Sequence, residues 1–149
     1  MTPHDLALDD PLWARALPVL QELRPHLTAQ GRREVQFEGA PQGLRFTALL
    51  DAAGPDGTVL AVAGWRLMAM TSTGRSLYVD DLVTSAAHRS TGAGRALLAE
   101  LERRAREAGC SRLVLDSGVH RFDAHRFYLR LRMRISAHHF EKDLPAPGS

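Results

Sequence analysis

A change of hydrophobic period in the second half of the chain constrains the fold most. Residues 77–84 have the composition of a strand, whereas apolar residues beyond them recur at helical spacing and predict a helix over residues 92–108. Gly109 is placed to end that helix, and residues 112–116 predict another short strand. A strand, a helix and a strand in this order normally form a right-handed crossover between parallel strands.

The start of the chain predicts two helices. Apolar residues within residues 11–27 recur at helical spacing, which is typical of an amphipathic helix. Pro18 and Pro25 are expected to kink this helix or to end it early. A weaker pattern predicts a second, short helix over residues 32–38.

Three consecutive antiparallel strands are predicted in the middle of the chain. Two apolar runs, residues 44–50 and 58–70, flank a segment rich in Gly and Pro and therefore predict a hairpin, which the strand at residues 77–84 extends. After the crossover, the pattern predicts a helix over residues 123–131 and a last strand over residues 133–141. The expected fold is α+β (mixed α/β), with a mixed, mostly antiparallel central sheet flanked by helices on both faces.

Length and composition favour one domain over residues 1–149 and a cytoplasmic location. The chain is 44% hydrophobic and 24% charged, which suits one compact core. Its longest apolar runs fall far short of the roughly 20 residues that a membrane helix needs. The N-terminus lacks the pattern of a secretory signal, and the single cysteine, Cys110, cannot form an internal disulfide. The net charge of +2 is too small to predict nucleic-acid binding.

The junction between the predicted strand and the crossover helix has the chemistry of an anion site. The first amides of a helix lack intrahelical partners and carry the positive end of the helix dipole. Gly92 and Gly94 would let a phosphate approach this backbone, and Arg89 and Arg95 add positive charge. The alternative is that the glycines only permit a tight turn. Neither the P-loop nor the dinucleotide-binding pattern fits this loop.

The loop sequence Arg89-Ser90-Thr91-Gly92-Ala93-Gly94 resembles the signature of the GCN5-related N-acetyltransferases, which is Arg or Gln, two residues, Gly, one residue, then Gly or Ala. The resemblance covers residues 44–144. It implies acetyl-CoA as cofactor, with the loop amides on its pyrophosphate and the strand backbone on its pantetheine arm. The implied cofactor-binding residues are Leu82, Val83, Arg89, Ser90, Thr91, Gly92, Ala93, Gly94 and Arg95.

A second motif lies on the helix predicted over residues 123–131. Ala124 and Tyr128 are one turn apart on one face, so that a small residue leaves room beside the tyrosine. The resemblance implies that Tyr128 is catalytic and donates a proton or hydrogen bond to the departing thiolate of coenzyme A. The alternative to a catalytic role is that Tyr128 packs in the core and only its hydroxyl reaches the surface.

Two departures from the family pattern flank this motif. Arg121 stands where many members have Asn, and Arg132-Met133 replaces the usual Gly-Phe after the helix. Arginine adopts the left-handed conformation of a helix-ending glycine only at some cost. The motif, with the sequence over residues 138–140, is similar to the variant in aminoalkylphosphonate N-acetyltransferases, which implies an acceptor amine that carries an acidic group.

An alkylammonium acceptor must lose a proton before it can attack a thioester, so that the reaction needs a base. Asp81 is the preferred candidate, and Asp80, Asp116 or a water is the alternative. Because Asp80 and Asp81 are neighbours on a predicted strand, their side chains are expected to point to opposite faces. Direct attack by the amine needs no nucleophile from the enzyme. Cys110 is therefore expected to be a small, buried apolar residue rather than a nucleophile.

These patterns predict an acetyl-CoA-dependent N-acyltransferase that moves an acetyl group to a primary amine by direct attack. The expected partner is a small-molecule amine, with no metal, no nucleic acid and no membrane. A non-catalytic module that binds or senses acyl-CoA is the alternative. The acceptor itself is not identified by any motif, and an exposed last strand could pair in a homodimer.

Overall fold

The computed structural model describes residues 1–54 and 56–148. By contact, the chain divides into an N-terminal unit, Met1–Leu115, and a C-terminal unit that begins at Asp116. The helices and strands, in chain order, are β1 (Thr2–Asp5), α1 (Trp13–Leu23), α2 (Ala29–Gly39), β2 (Arg45–Leu50), β3 (Val59–Met70), β4 (Gly74–Thr84), α3 (Ala93–Glu107), β5 (Arg112–Leu115) and α4 (Phe122–Arg130).

All five strands belong to one sheet in the N-terminal unit, in the order β1-β2-β3-β4-β5. The first four strands pair antiparallel, and β4 and β5 pair parallel across the crossover helix α3. The predicted hairpin, the crossover and the mostly antiparallel sheet are therefore confirmed. Strand β1 was not predicted, because residues 2–5 lack the alternating apolar pattern of a strand and include Pro3.

Helices cover both faces of the sheet, as predicted. Side chains on adjacent strand positions point to opposite faces, so that Ala48 and Leu50 of β2 pack in the core on the α1 side. Leu49, between them, packs in the core on the other face, which α3 covers with Leu97 and Leu101. Both cores lie almost wholly out of water, which supplies the main driving force for folding this unit.

Of the two prolines expected to kink α1 or to end it early, Pro18 lies inside the helix and does not end it, and the helix ends at Leu23. The helix ends where Pro25 requires it, because the residue before a proline is disfavoured in the helical conformation. Arg24 accordingly has φ −122° and ψ 73°. The second helix forms as predicted but is longer, and Thr28 caps it by accepting a hydrogen bond from the Gly31 amide.

Strand β4 contains one residue more than the stretch of β3 that it faces. Gly64 lies opposite Asp81 and Trp65 lies opposite Val79, which leaves Asp80 as the extra residue. Such a β-bulge interrupts the alternation of side chains and bends the strand. The bulge lies directly before the segment of β4 that leads into the loop at residues 85–92.

The C-terminal unit consists of the segment that begins at Asp116, α4 and the chain that follows it. The helix ends with two hydrogen bonds, from the Arg132 amide to the Leu129 carbonyl and from the Met133 amide to the Tyr128 carbonyl. This is a Schellman motif, and Arg132 has φ 62° at the position that usually holds glycine, so that the turn keeps its left-handed geometry although arginine replaces glycine. The strand predicted over residues 133–141 is wrong for this chain, since those residues pair with no strand.

Candidate functional site

The loop between β4 and α3 brings several unpartnered backbone amides to one helix start. Helix α3 begins at Ala93 and no side chain caps it, so that its first amides lack helical acceptors. Its first intrahelical bond runs from the Ala96 amide to the Gly92 carbonyl. The first turn contains no acidic side chain, which leaves the positive end of the helix dipole available to an anion.

Two residues of this loop adopt the left-handed conformation. Gly92 has φ 84°, which is ordinary for glycine, whereas Ser90 has φ 64°, which costs free energy for a residue with a Cβ. The Thr91 hydroxyl donates to the His88 carbonyl at 2.6 Å and thereby braces the turn. Ala93, which is buried in the α3-side core, anchors the helix start beneath the loop.

Two arginines supply positive charge beside these amides. Arg89 and Arg95 are both exposed, and neither makes an ion pair or a side-chain hydrogen bond with the described residues. The chain therefore leaves both guanidinium groups available to an external anion. A pyrophosphate, with two adjacent negative groups, fits this combination of amides and arginines.

The strand that leads into the loop is open along one edge. β4 pairs with β5 only over residues 76–79, whereas its pairing with β3 continues to Thr84. Beyond Val79, no described strand lies on the β5 side of β4. The predicted pantetheine contacts, Leu82 and Val83, lie on this open stretch, where an extended ligand would find strand backbone to pair with.

Asp81 lies directly beyond the bulge and is held by an arginine from the end of α1. Arg24 Nε donates to Asp81 Oδ1 at 2.8 Å, and the Arg24 Nη2 donates to the Asp80 carbonyl at 3.2 Å. Gly64 faces Asp81 across the strand pair, and a Cβ there would lie 2.9 Å from Asp81 Oδ2. The absent side chain of Gly64 therefore provides the space that the carboxylate uses.

Asp80 forms its own ion pair. Arg66 of β3 donates to both carboxylate oxygens, with Nε at 3.0 Å and Nη2 at 2.9 Å. Gly64 and Arg66 are two residues apart on β3 and therefore on the same face, so that the two carboxylates also approach the same face. The expectation that Asp80 and Asp81 point to opposite faces is wrong, because the bulge at Asp80 breaks the alternation.

The pKa of Asp81 is raised above its ordinary value, chiefly because burial disfavours the charged carboxylate. The hydrogen bond and charge of Arg24 oppose this rise, and the neighbouring charge of Asp80 adds to it. A carboxyl group with a raised pKa binds a proton more readily than an exposed aspartate. Of the three candidate aspartates, Asp81 thus has the surroundings best suited to accept a proton.

Tyr128 lies on α4, in the C-terminal unit. The side chain is half-buried and its ring packs edge-on against Phe127, with centroids 5.3 Å apart. Burial raises the pKa of the Tyr128 phenol, while the positive charge of Arg121 opposes the rise. The phenol therefore keeps its proton at neutral pH and is a hydrogen-bond donor.

The other residues considered from sequence have less specialised surroundings. Asp116 is half-exposed and lies 3.3 Å from His139 Nδ1. Cys110 is free and packs, partly buried, against the α3-side core, in keeping with the expected small apolar residue. Within residues 1–54 and 56–148, no group of three or more His, Cys, Asp or Glu side chains is arranged to hold a metal ion.

Three residues of this region were not found from the sequence. Arg24 and Arg66 hold the two aspartates, and Glu22 Oε2 accepts a hydrogen bond of 2.8 Å from the Ala86 amide at the start of the loop. Only the position of Arg24 could have been predicted from neighbouring residues, because Arg24 precedes Pro25 and therefore lies at the end of a helix. The other two contacts join residues 14 or more positions apart, which no local pattern predicts.

Comparisons with known proteins agree with this arrangement. The model of the Acetyltransferase (GNAT) family matches residues 13–132. The N-acetyltransferase YhdJ of Bacillus subtilis (strain 168), which is described as uncharacterized, is 33% identical over 131 residues, covering 87% of this chain and 90% of that protein.

Solved structures share the fold at lower identity. An acetyltransferase of Trypanosoma brucei has a TM-score of 0.75 at 22% identity, covering 96% of this chain and 99% of that one. A ribosomal-protein-alanine N-acetyltransferase of Brucella melitensis biovar Abortus 2308 has a TM-score of 0.76 at 18% identity, covering 97% of this chain and 100% of that one.

Every helix in the described ranges is too short or too polar to traverse a bilayer. The family resemblance drawn from the loop is confirmed, whereas the aminoalkylphosphonate subgroup stays a prediction. Since the family model spans residues 13–132 and a relative named as an N-acetyltransferase is 33% identical, the chain belongs to the GNAT family and is an acetyltransferase.

Proposed function

We propose that this acetyltransferase moves the acetyl group of acetyl-CoA to the primary amine of a small molecule. The observation that carries the proposal is the open stretch of β4 that runs into an uncapped helix start flanked by Arg89 and Arg95. An extended, doubly charged ligand such as coenzyme A matches a strand edge followed by an anion site. GNAT acetyltransferases use this donor, and the family model covers residues 13–132, across both compact units.

The binding roles follow from the residues of the junction. The amides of Gly92, Ala93 and Gly94 and the guanidinium groups of Arg89 and Arg95 would hold the pyrophosphate. Ser90 and Thr91 shape the turn, and the backbone of Leu82 and Val83 would align the pantetheine arm. This placement supplies much of the rate enhancement, because it makes the attack effectively unimolecular.

Acetyl-CoA supplies an acyl group activated as a thioester. Asp81, directly or through a water, takes the proton of the acceptor ammonium, and its raised pKa suits that step. The nitrogen lone pair then attacks the thioester carbonyl carbon, and the carbon–sulfur bond breaks. The proton that the nitrogen loses on becoming an amide passes to the departing sulfur, directly or through Tyr128, which donates its hydrogen bond there. An acceptor that carries a phosphonate or carboxylate would find arginines able to bind it in a bidentate manner.

Replacing Tyr128 by Phe tests the chemical step separately from binding. We expect kcat to fall about tenfold to a hundredfold, because a hydrogen bond to the leaving group is made mainly in the transition state. The Kd for coenzyme A, measured by calorimetry, should stay within about twofold. Unchanged kcat would remove Tyr128 from the mechanism.

The first experiment for the activity itself is thiol release from acetyl-CoA with a panel of amines, including aminoalkylphosphonates, amino acids and polyamines. Turnover with one class identifies the acceptor. Arg89→Gln should weaken coenzyme A binding with little effect on kcat at saturation, whereas Arg103→Gln, on the exposed part of α3, should change neither. Failure of acetyl-CoA to bind at all would contradict the assignment of the loop.

A further inference from the structure

The end of helix α1 contacts β4 and its following loop on both sides of the open stretch. On one side, Arg24 Nε donates a hydrogen bond of 2.8 Å to Asp81 Oδ1. On the other side, Glu22 Oε2 accepts a hydrogen bond of 2.8 Å from the Ala86 amide. Residues 82–85, between these contacts, include the backbone that is assigned to the pantetheine arm. The two contacts therefore enclose the donor-binding part of the strand.

This end of α1 is itself firmly placed. Leu20, in the last turns of the helix, is buried in the core on the α1 side. Beyond the helix, the Leu27 amide donates to the Arg24 carbonyl at 3.0 Å, and Gln21 Nε2 donates to the Leu27 carbonyl at 2.8 Å. A side chain on a rigid helix holds its partner more precisely than a side chain on a loop. The Glu22 carboxylate thus extends from a rigid support.

The loop at residues 85–92 requires restraint from its surroundings. Ser90 has φ 64°, a conformation that a residue with a Cβ keeps only when the neighbouring structure imposes it. At the base of the loop, the Ser85 amide donates to the Leu60 carbonyl of β3 at 2.9 Å. No described strand lies on the β5 side of this part of β4. Glu22 supplies a restraint from a second element, next to that base.

The Glu22 contact lies at the start of the turn that leads to helix α3. Ala86 begins a single turn of 3-10 helix that ends at His88, and the residue before it gives no side-chain cap. Glu22 supplies an acceptor for the first amide of that turn. At its end, the His88 carbonyl accepts a hydrogen bond of 2.6 Å from the Thr91 hydroxyl. Short contacts therefore connect Glu22 to the residue directly before Gly92.

We propose that Glu22 is a positioning residue, which holds the pyrophosphate-binding loop in its binding conformation through the Ala86 amide. The inference rests on the proposed function, which places the pyrophosphate of coenzyme A at this loop. A site that already has its bound conformation loses less conformational entropy when the ligand arrives. Glu22 therefore raises the affinity for the donor by acting through the loop.

Two properties of the Glu22 side chain act in opposite directions on donor binding. Its carboxylate oxygen accepts the hydrogen bond from Ala86, whereas its negative charge repels a pyrophosphate bound at the same loop. Glutamine keeps an acceptor oxygen and removes the charge. Alanine removes both. Glu22→Gln and Glu22→Ala thus separate the hydrogen bond from the charge.

Coenzyme A binding, measured by calorimetry, tests the proposal. Glu22→Ala should raise the Kd for coenzyme A about threefold to tenfold, because the loop loses one hydrogen bond. Glu22→Gln should bind coenzyme A as tightly as the wild type or more tightly, to within about twofold. Glu34→Ala is the matched control, because Glu34 accepts a hydrogen bond from Gln30 within α2, and it should leave the Kd unchanged. An unchanged Kd in Glu22→Ala, or equal weakening in Glu22→Gln, would overturn the proposal.

Two donors of different length separate the loop from the rest of the site. With the acceptor found in the amine panel, Glu22→Ala should lower kcat/KM for acetyl-CoA about threefold to tenfold. S-acetylpantetheine lacks the pyrophosphate, so that its kcat/KM should change by less than about twofold. Equal losses with both donors would indicate a general disturbance of the site and contradict the role of Glu22.

Amide hydrogen exchange tests the contact without any ligand. In the free protein, the Ala86 amide should exchange at least about threefold faster in Glu22→Ala than in the wild type, with exchange in α2 unchanged. Equal exchange of this amide in both proteins would contradict the restraint, and circular dichroism establishes that each variant is folded. If the wild type binds no coenzyme A, the proposed function fails. If the wild type and Glu22→Ala bind it equally, only the inference about Glu22 fails.

Discussion

Arg24 illustrates how one backbone constraint places a charged side chain. Pro25 excludes the helical conformation at the preceding residue, so that α1 ends and Arg24 turns away from the helix. Its guanidinium then spans the bulge of β4 by bonding both the Asp81 carboxylate and the Asp80 carbonyl. A positive charge at this place favours the ionised form of Asp81 against the effect of burial.

The residue-scale prediction is that Arg24→Gln moves the acidic limb of the pH profile of kcat/KM to higher pH. Loss of the guanidinium removes an influence that lowers the pKa of Asp81, so that a higher pH is needed to ionise the carboxyl group. Activity should fall several-fold near the limb and recover on the alkaline plateau. The measurement is kcat/KM at saturating acetyl-CoA between about pH 5 and 9.

Two controls separate the local charge from general effects. Arg24→Lys keeps the charge and should shift the limb less. Arg33→Gln on α2 removes an exposed ion pair with Asp9 and should not shift the limb. An unchanged limb in Arg24→Gln would show that a group other than Asp81 limits the reaction at low pH.

At the scale of elements, the end of α4 combines a favourable hydrogen-bond pattern with an unfavourable residue. The Schellman bonds satisfy the carbonyls of Tyr128 and Leu129, but they require the left-handed conformation at Arg132. A residue with a Cβ pays for that conformation, whereas glycine does not. The family pattern of Gly-Phe at this point is therefore explained by geometry, and the arginine is tolerated rather than preferred.

We accordingly expect Arg132→Gly to stabilise the protein by about 1 kcal/mol. The free energy of unfolding in urea measures the effect. Arg130→Gly is the matched control, because residue 130 is the last residue of the helix and glycine there should destabilise by about 0.5–1 kcal/mol. Equal destabilisation by Arg132→Gly and Arg130→Gly would mean that the Arg132 side chain stabilises the protein by more than its left-handed conformation costs.

At the scale of the whole N-terminal unit, a buried hydroxyl joins the sheet edge to its centre. Thr47 of β2 is fully buried, and its Oγ1 accepts a hydrogen bond of 3.0 Å from the Trp65 indole of β3. The same hydroxyl donates to Asp5 of β1 at 2.7 Å, and Asp5 also pairs with Arg104 of α3. The Thr47 hydroxyl thus connects β1, β2 and β3, and through Asp5 it also connects these strands to α3.

Replacing Thr47 by Val should therefore destabilise the protein by about 1–3 kcal/mol, although the two side chains have nearly the same shape. The reason is that the buried Trp65 Nε1 loses its acceptor, which costs its desolvation without compensation. Thr47→Ser keeps the hydroxyl and should cost less in urea unfolding. If Thr47→Ser lowers the free energy of unfolding as much as Thr47→Val, then the stabilisation comes from the methyl group of Thr47 and not from its hydrogen bond.

Strong local patterns predicted most elements of the fold. The helix at residues 92–108 and the strands on both sides of it follow from hydrophobic period, and the structure agrees to within a few residues. β1 was missed because its residues are polar and become a strand only by pairing with β2. The strand expected over residues 133–141 has the right pattern, but a pattern cannot supply the neighbouring edge that a strand requires.

The candidate site, too, was predicted from the sequence only in part. The loop signature named the family from residues 89–94, because an anion site at a helix start depends on local backbone and on glycines at fixed spacing. The surroundings of the aspartates could not be predicted, since they depend on a bulge that forms only when β3 and β4 pair. That bulge turns both carboxylates toward the same face.

By itself, the sequence thus determined most of the elements between residues 11 and 131, the glycine-containing signature of the loop at residues 89–94 and the family. Each of these depends on residues close together in the chain, where spacing and side-chain type decide the outcome. Only the tertiary structure decided the neighbours of Asp81, the opening of β4 beside β5 among the described strands, and the irregular conformation of residues 133–141. Those features depend on contacts between distant residues, whose geometry is set by packing of the whole sheet.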